Sequence, residues 1–95
     1  MSDVRLLGRA AAELDEAVAW YQARSPQSAR RFKAAVTASL GRIGAFPEAY
    51  ALENDKQRLC PIVKFRYVFV YEYDTATDEV VVVALVNPTQ GAPDW

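Results

Sequence analysis

The sequence predicts an α+β fold of order β-α-α-β-β-β, an antiparallel β-meander covered by an N-terminal helical hairpin. Three observations carry that prediction. Nearly all the β-branched and aromatic residues fall in consecutive runs between Arg58 and Val86, and such residues favour a pleated, half-buried surface. Two stretches before them, Arg9 to Arg24 and Pro26 to Phe46, instead space their apolar residues by three or four, the period of a helix face. The break between the two helical stretches is the pair Ser25-Pro26, a capping side chain followed by proline at a first helical position.

Taken in order, Asp3-Val4-Arg5-Leu6-Leu7 alternates briefly and stops at Gly8, which predicts a short first strand on one edge of the later sheet. The first helix places Ala10, Leu14, Ala17, Val18 and Tyr21 on one face, with Glu13, Asp15 and Glu16 on a solvated one. The second helix carries Ala29, Phe32, Val36, Leu40 and Ile43 on a stripe and ends before Pro47. So short a connection makes an antiparallel pair, in which Leu14, Val18 and Tyr21 meet Phe32, Val36 and Leu40. Glu48 to Gln57 has no period and is expected to be a loop pinned by Phe46 and Tyr50.

Arg58 to Ile62 reads as a strand, and Pro61, which has no N–H to donate, places it on an edge. Arg66 to Tyr73 reads as the next strand, with Tyr67, Phe69, Tyr71 and Tyr73 on one face and Val68 and Val70 on the other. Both faces are mostly apolar, so this strand is expected to be central, with helices or a partner on each side. The polar cluster Asp74 to Asp78 turns the chain into a last strand, Glu79 to Val86. Asn87 to Trp95 is a polar strap with two prolines, whose Trp95 either docks on the body or meets a partner.

At 95 residues the chain is expected to be one domain, 1–95, sharing one core. Neither a secretory leader pattern nor a membrane-length apolar run is visible in the sequence. One cysteine, Cys60, allows no internal disulfide and is expected as a buried small hydrophobe, so the cytoplasm is the expected compartment. Eleven cations against twelve acids give a net charge of -1, which removes any global field toward nucleic acid but leaves room for a local patch.

Along the chain stand Ala11 to Leu14 with Ala17-Val18-Ala19-Trp20-Tyr21, Ser25-Pro26 and Ala29-Arg30-Arg31-Phe32, Phe46-Pro47, Arg58 with Phe65-Arg66-Tyr67 and Tyr71, and Pro93-Asp94-Trp95. With the order of elements, these residues resemble the RelE/ParE toxin superfamily of type II toxin-antitoxin systems, and more closely its ParE-like, plasmid-stabilisation branch. The resemblance spans the chain. It implies a RelE-like fold neutralised by a small, ParD-like antitoxin, without a cofactor or metal, and a non-catalytic attack on DNA gyrase. Nucleic acid would then be met only through the antitoxin. Many relatives follow the last strand with His, several Arg and a closing Pro-x-Tyr-Trp, whereas this chain has Asn87, Thr89, Gln90 and Gly91 there, and no histidine anywhere.

That departure weakens the RelE-type alternative, ribosome-dependent cleavage of messenger RNA, which needs a general base, an acid and cations around the phosphorane. Arg58, Lys64 and Arg66 could supply only the cations. A third alternative is a non-toxic relative that still binds antitoxin. The residues expected to border the partner-binding face are Arg58, Lys64, Arg66, Asn87 and Trp95, since arginine suits acidic partners and tryptophan can anchor a tail. Trp20 and Tyr21 are expected in the core. The strand tyrosines are expected in the core or facing the antitoxin rather than as a base-stacking platform.

Overall fold

The computed structural model describes residues 2–88. Its elements are β1 (Asp3–Leu6), α1 (Gly8–Arg24), α2 (Pro26–Ala45), β2 (Gln57–Pro61), β3 (Val68–Asp74) and β4 (Glu79–Val86). The order is the expected one. Trp95 and the rest of the strap from residue 89 lie outside the described residues.

The sheet runs β1-β4-β3-β2. The meander is antiparallel, with Cys60 opposite Phe69 and Tyr71 opposite Val82, while β1 joins the far edge parallel to β4, Val4 beside Val80 and Leu6 beside Val82. The sheet is therefore mixed. β3 is central and β2, with its Pro61, is an edge, as the missing proline donor requires. β3 begins at Val68, two residues later than the alternation suggested, because residues 63–67 form a tight turn in which the Phe65 N–H donates to the Ile62 carbonyl (3.0 Å) and the Ile62 N–H to the Tyr67 carbonyl (2.9 Å). The register slips between Val70 and Tyr71, so that Val70 pairs with Ala84 and Tyr71 with Val82. Val83 is the extra residue of that bulge, which turns Leu85 inward after Val80 and Val82.

Ser25 serves both helices. Its N–H donates to the Tyr21 carbonyl (2.8 Å) to close α1, and its Oγ accepts the Ser28 N–H (3.2 Å) to open α2. The core joins Ala10, Ala17, Phe32, Val36 and Ile43 of the helices to Cys60, Ile62, Phe69, Tyr71, Val80, Val82 and Leu85 of the sheet side. Leu14, Val18, Tyr21 and Leu40 pack around it, and Cys60 is fully buried as expected.

Both helices lie on this one face, so of the expected cover, helices or a partner on each side, the helices supply one side only. Strand alternation puts Leu59, Val68, Val70, Val81, Val83, Ala84 and Val86 on the opposite face, and among the described residues no helix covers it. Val70 and Ala84 are nonetheless buried there and the other five half-buried, so this face is apolar throughout, closed at its centre and partly open around it.

Candidate functional site

The C-terminal turns of α1, the β2–β3 turn and the end of β4 meet at one pole of the molecule. There they enclose a cleft of about 580 Å³ lined by Trp20, Tyr21, Lys64, Phe65, Arg66, Tyr67 and Asn87. Trp20 and Arg24 are four residues apart and so neighbours on the helix surface. The Arg24 guanidinium carbon sits 3.5 Å from the Trp20 ring centroid, within cation–π range, and its Nη1 donates to the Trp20 carbonyl (3.1 Å). Trp20 remains 44% exposed. It is not the core residue the helix pattern implied; α1 turns it outward while its neighbour Tyr21 faces in.

Tyr21 belongs to an aromatic cluster that forms the floor. Its ring lies 4.8 Å from Phe32 and 5.4 Å, edge-on, from Phe65, and Phe32 in turn lies 5.4 Å from Tyr67. Burial, and then the neighbouring Tyr67 hydroxyl, push the Tyr21 pKa up, while Arg66 pulls it down. Its hydroxyl is neutral at physiological pH. The β2–β3 turn alternates cation and aromatic over Lys64-Phe65-Arg66-Tyr67. Phe65 and Tyr67 pack inward against the core while Lys64 and Arg66 stand exposed. Lys64 has φ 72°, in the left-handed region that a side chain with a Cβ rarely adopts. Among the described residues no carboxylate lines this cleft.

Of the expected partner-binding residues, the fold gathers Lys64, Arg66 and Asn87 here and separates Arg58 from them. Arg58 pairs with Tyr71 on the core side of the sheet, and its Nη1 donates to the carbonyls of Tyr50 and Glu48. It latches the loop that follows α2. Tyr71 performs the same task, its hydroxyl donating to the Pro47 carbonyl (2.7 Å), and the Tyr50 hydroxyl accepts from Arg42 Nε (3.4 Å). Phe46, expected to pin this loop, is 67% exposed. The loop is held through backbone carbonyls, which no side-chain pattern advertises. Arg58 also borders a second depression, about 510 Å³, among Lys56, Glu72, Asp74 and Glu79.

Glu13, expected on a solvated face, accepts the buried Leu85 N–H (3.0 Å) and bridges to Arg9 (3.3 Å). At the far pole, Asp78 Oδ1 accepts from the Ser2 hydroxyl (2.5 Å) and the Tyr73 hydroxyl (2.8 Å). These two bonds, Ser2 first, hold the Asp78 carboxyl below its ordinary value. They close the β3–β4 hairpin beside a cleft of about 460 Å³ that Phe46 helps to line. Among the described residues no group of three or more His, Cys, Asp or Glu is arranged to hold a metal, and no helix is long and apolar enough to cross a membrane.

A family profile described as "ParE toxin of type II toxin-antitoxin system, parDE" matches residues 4–90. Among solved structures, a chain from "Chromosomal ParDE TA system from P. aeruginosa" superposes with a TM-score of 0.75 at 15% identity, over 92% of this chain and 96% of that one. At that identity the likeness establishes the fold. Comparison with curated proteins finds no match.

Proposed function

We infer the action of this chain from its family: it belongs to the ParE toxins, the toxin component of type II toxin-antitoxin systems. Its partner in that system is an antitoxin. We propose that this antitoxin is a small ParD-like protein, and that the toxin, once freed from it in the cytoplasm, binds DNA gyrase and poisons it without catalysis of its own.

The observation that supports neutralisation by a wrapped peptide is the outer sheet face. Leu59, Val68, Val81, Val83 and Val86 lie there half-buried around Val70 and Ala84, which are buried, and the partly open apolar rim is of a kind that marks an interaction site. The proposed toxic face is bordered by Lys64, Arg66, Asn87 and Trp95. Arg58, engaged with the carbonyls of Glu48 and Tyr50, contributes by holding its loop.

Co-expression with an adjacent upstream small open reading frame tests the partner: its product should co-purify, and the lack of such a frame or a failure to co-purify removes the antitoxin reading. Inducing the chain alone tests the target. Filamentation and a DNA-damage response are expected, whereas rapid translational arrest with cleaved messenger RNA would replace gyrase by the ribosome. Deleting Thr89 to Trp95 should abolish toxicity and leave a folded protein, as judged by circular dichroism. A fully toxic deletion would move the toxic face elsewhere.

A further inference from the structure

The charges of this chain are sorted along it. From Ala17 to Pro47 there are five cations and no acid, and from Lys56 to Tyr71 four cations and no acid, so nine of the eleven cations lie in two acid-free stretches. The fold brings parts of both to the pole that holds the Trp20 cleft. Lys64 and Arg66 come from the β2–β3 turn, Arg24 from the end of α1, and Arg30 and Arg31 from the first two turns of α2, all exposed. Among the described residues the ion pair is Arg9–Glu13, so none of these five is neutralised by a carboxylate. The nearest acid along α1 is Glu16, one turn before Trp20.

We propose that this pole is a binding site for the phosphate backbone of nucleic acid, with Arg24, Lys64 and Arg66 contacting phosphates around Trp20. A chain of net charge -1 nonetheless concentrates, among the described residues, cations without a carboxylate partner around the exposed Trp20 indole. Two features favour nucleic acid over an acidic peptide. The exposed Trp20 stands among the cations, and single-strand sites combine an aromatic face with a positive surface in this way. Trp20 has one face taken by Arg24, which leaves a cation-backed aromatic edge suited to a base or ribose rather than a deep pocket for a peptide anchor. The site departs from the expectation that nucleic acid is met only through the antitoxin, and it does not depend on gyrase being the target.

Fluorescence anisotropy of the purified full chain against three labelled probes tests it: an oligothymidylate of about 20 nucleotides, a duplex of similar length, and a Glu-rich peptide carrying one Trp. Both oligonucleotides should bind at about 50 mM salt. With three phosphates contacted, a fourfold rise in salt should weaken the single strand roughly 20-fold and the duplex roughly 40-fold. Lys64→Glu with Arg66→Glu should cost about tenfold or more, and so should the neutral pair Lys64→Gln and Arg66→Gln in lesser degree, while Arg5→Glu on β1 leaves binding within about twofold. Trp20→Ala distinguishes the sources, since a larger loss for the single strand assigns base stacking and an equal loss assigns backbone contact alone. Absence of binding by either oligonucleotide overturns the proposal. So does indifference to both paired variants, or tighter binding of the acidic peptide than of either nucleic acid.

Discussion

Tyr71→Phe removes one oxygen from the middle of the sheet. The Tyr71 side chain is fully buried, its hydroxyl donates to the Pro47 carbonyl at 2.7 Å, and burial pushes its pKa up to about 12, against a smaller lowering by Arg58. Near neutrality the variant leaves the Pro47 carbonyl without its donor, which costs about 1–2 kcal/mol. In a chain of this size that lowers Tm by roughly 5–15 °C. Alkali reads the same hydroxyl differently. The folded pKa is raised, so the stabilisation is complete below the ordinary tyrosine value of about 10 and is lost as pH climbs toward about 12, where the unfolded chain ionises and the folded one does not. Each pH unit in that window is worth about 1.4 kcal/mol, so on the order of 2 kcal/mol of native stability should disappear. Tyr21 and Tyr73 are also raised and leave a residual slope in the variant. Urea unfolding at a series of pH values measures both effects. The gap between the two proteins should narrow through the alkaline window. An unchanged alkaline slope in the variant, or a neutral loss below about 0.3 kcal/mol, would refute the claim that this buried hydroxyl ties the loop to the sheet.

Three further substitutions separate structural roles from exposed ones. Arg58→Ala removes the latch on the Glu48 and Tyr50 carbonyls and should cost about 1.5–3 kcal/mol in thermal unfolding, with any loss of toxicity following the unfolded fraction. Glu13→Ala strips the buried Leu85 N–H of its acceptor; about 1–3 kcal/mol of destabilisation is expected, with faster hydrogen exchange at the Leu85 amide. Lys64→Gly relieves a positive φ, and a net gain of up to about 1 kcal/mol should appear in urea unfolding.

The elements were legible because each had its own period. Helical spacing from Ala10 to Tyr21 and from Ala29 to Ile43, the Ser25-Pro26 start and the valine run of β4 all follow from local propensity, and Pro61 alone placed β2 at an edge. What the sequence could not carry was the parallel docking of β1 on β4, which depends on where two helices return the chain. It also hid which face of an apolar strand the helices would take. The site was half visible. Lys64, Arg66 and Asn87 line one cleft, but Arg58, drawn to the same strand connection by proximity in sequence, is turned toward the Glu48 and Tyr50 carbonyls in the loop before its strand. Trp20 was missed because helical spacing resembles a core position; the clue was Arg24, four residues on, which can stack only on an exposed ring.

The same geometry decides how a neutralising peptide can grip this fold. Little backbone is left to pair with. Beyond the four residues of β1, the β4 edge gives its Leu85 N–H to Glu13. The β2 edge is crossed by the Leu52–Arg58 bridge and by the Glu53 N–H donating to the Gln57 carbonyl (2.8 Å), and Pro61 has nothing to donate. Each added strand bond nets about 0.5–1.5 kcal/mol. Covering the roughly 200 Å² of the outer valine face that is open with an equal apolar area of the peptide is worth on the order of 10 kcal/mol before the entropy of ordering the peptide is subtracted. Face burial therefore outweighs edge pairing. Val81→Lys, which places a charge on that face opposite Glu72 and Arg5, should weaken antitoxin binding about 100-fold or more while leaving the core and the unfolding midpoint nearly intact. A second variant, Gln57→Pro, removes the N–H that donates to Asn54 Oδ1 (2.8 Å) and so disturbs the β2 edge, yet should weaken binding less than tenfold. Should Gln57→Pro instead abolish co-purification while Val81→Lys retains it, the antitoxin is held along the β2 edge and the valine face has another occupant.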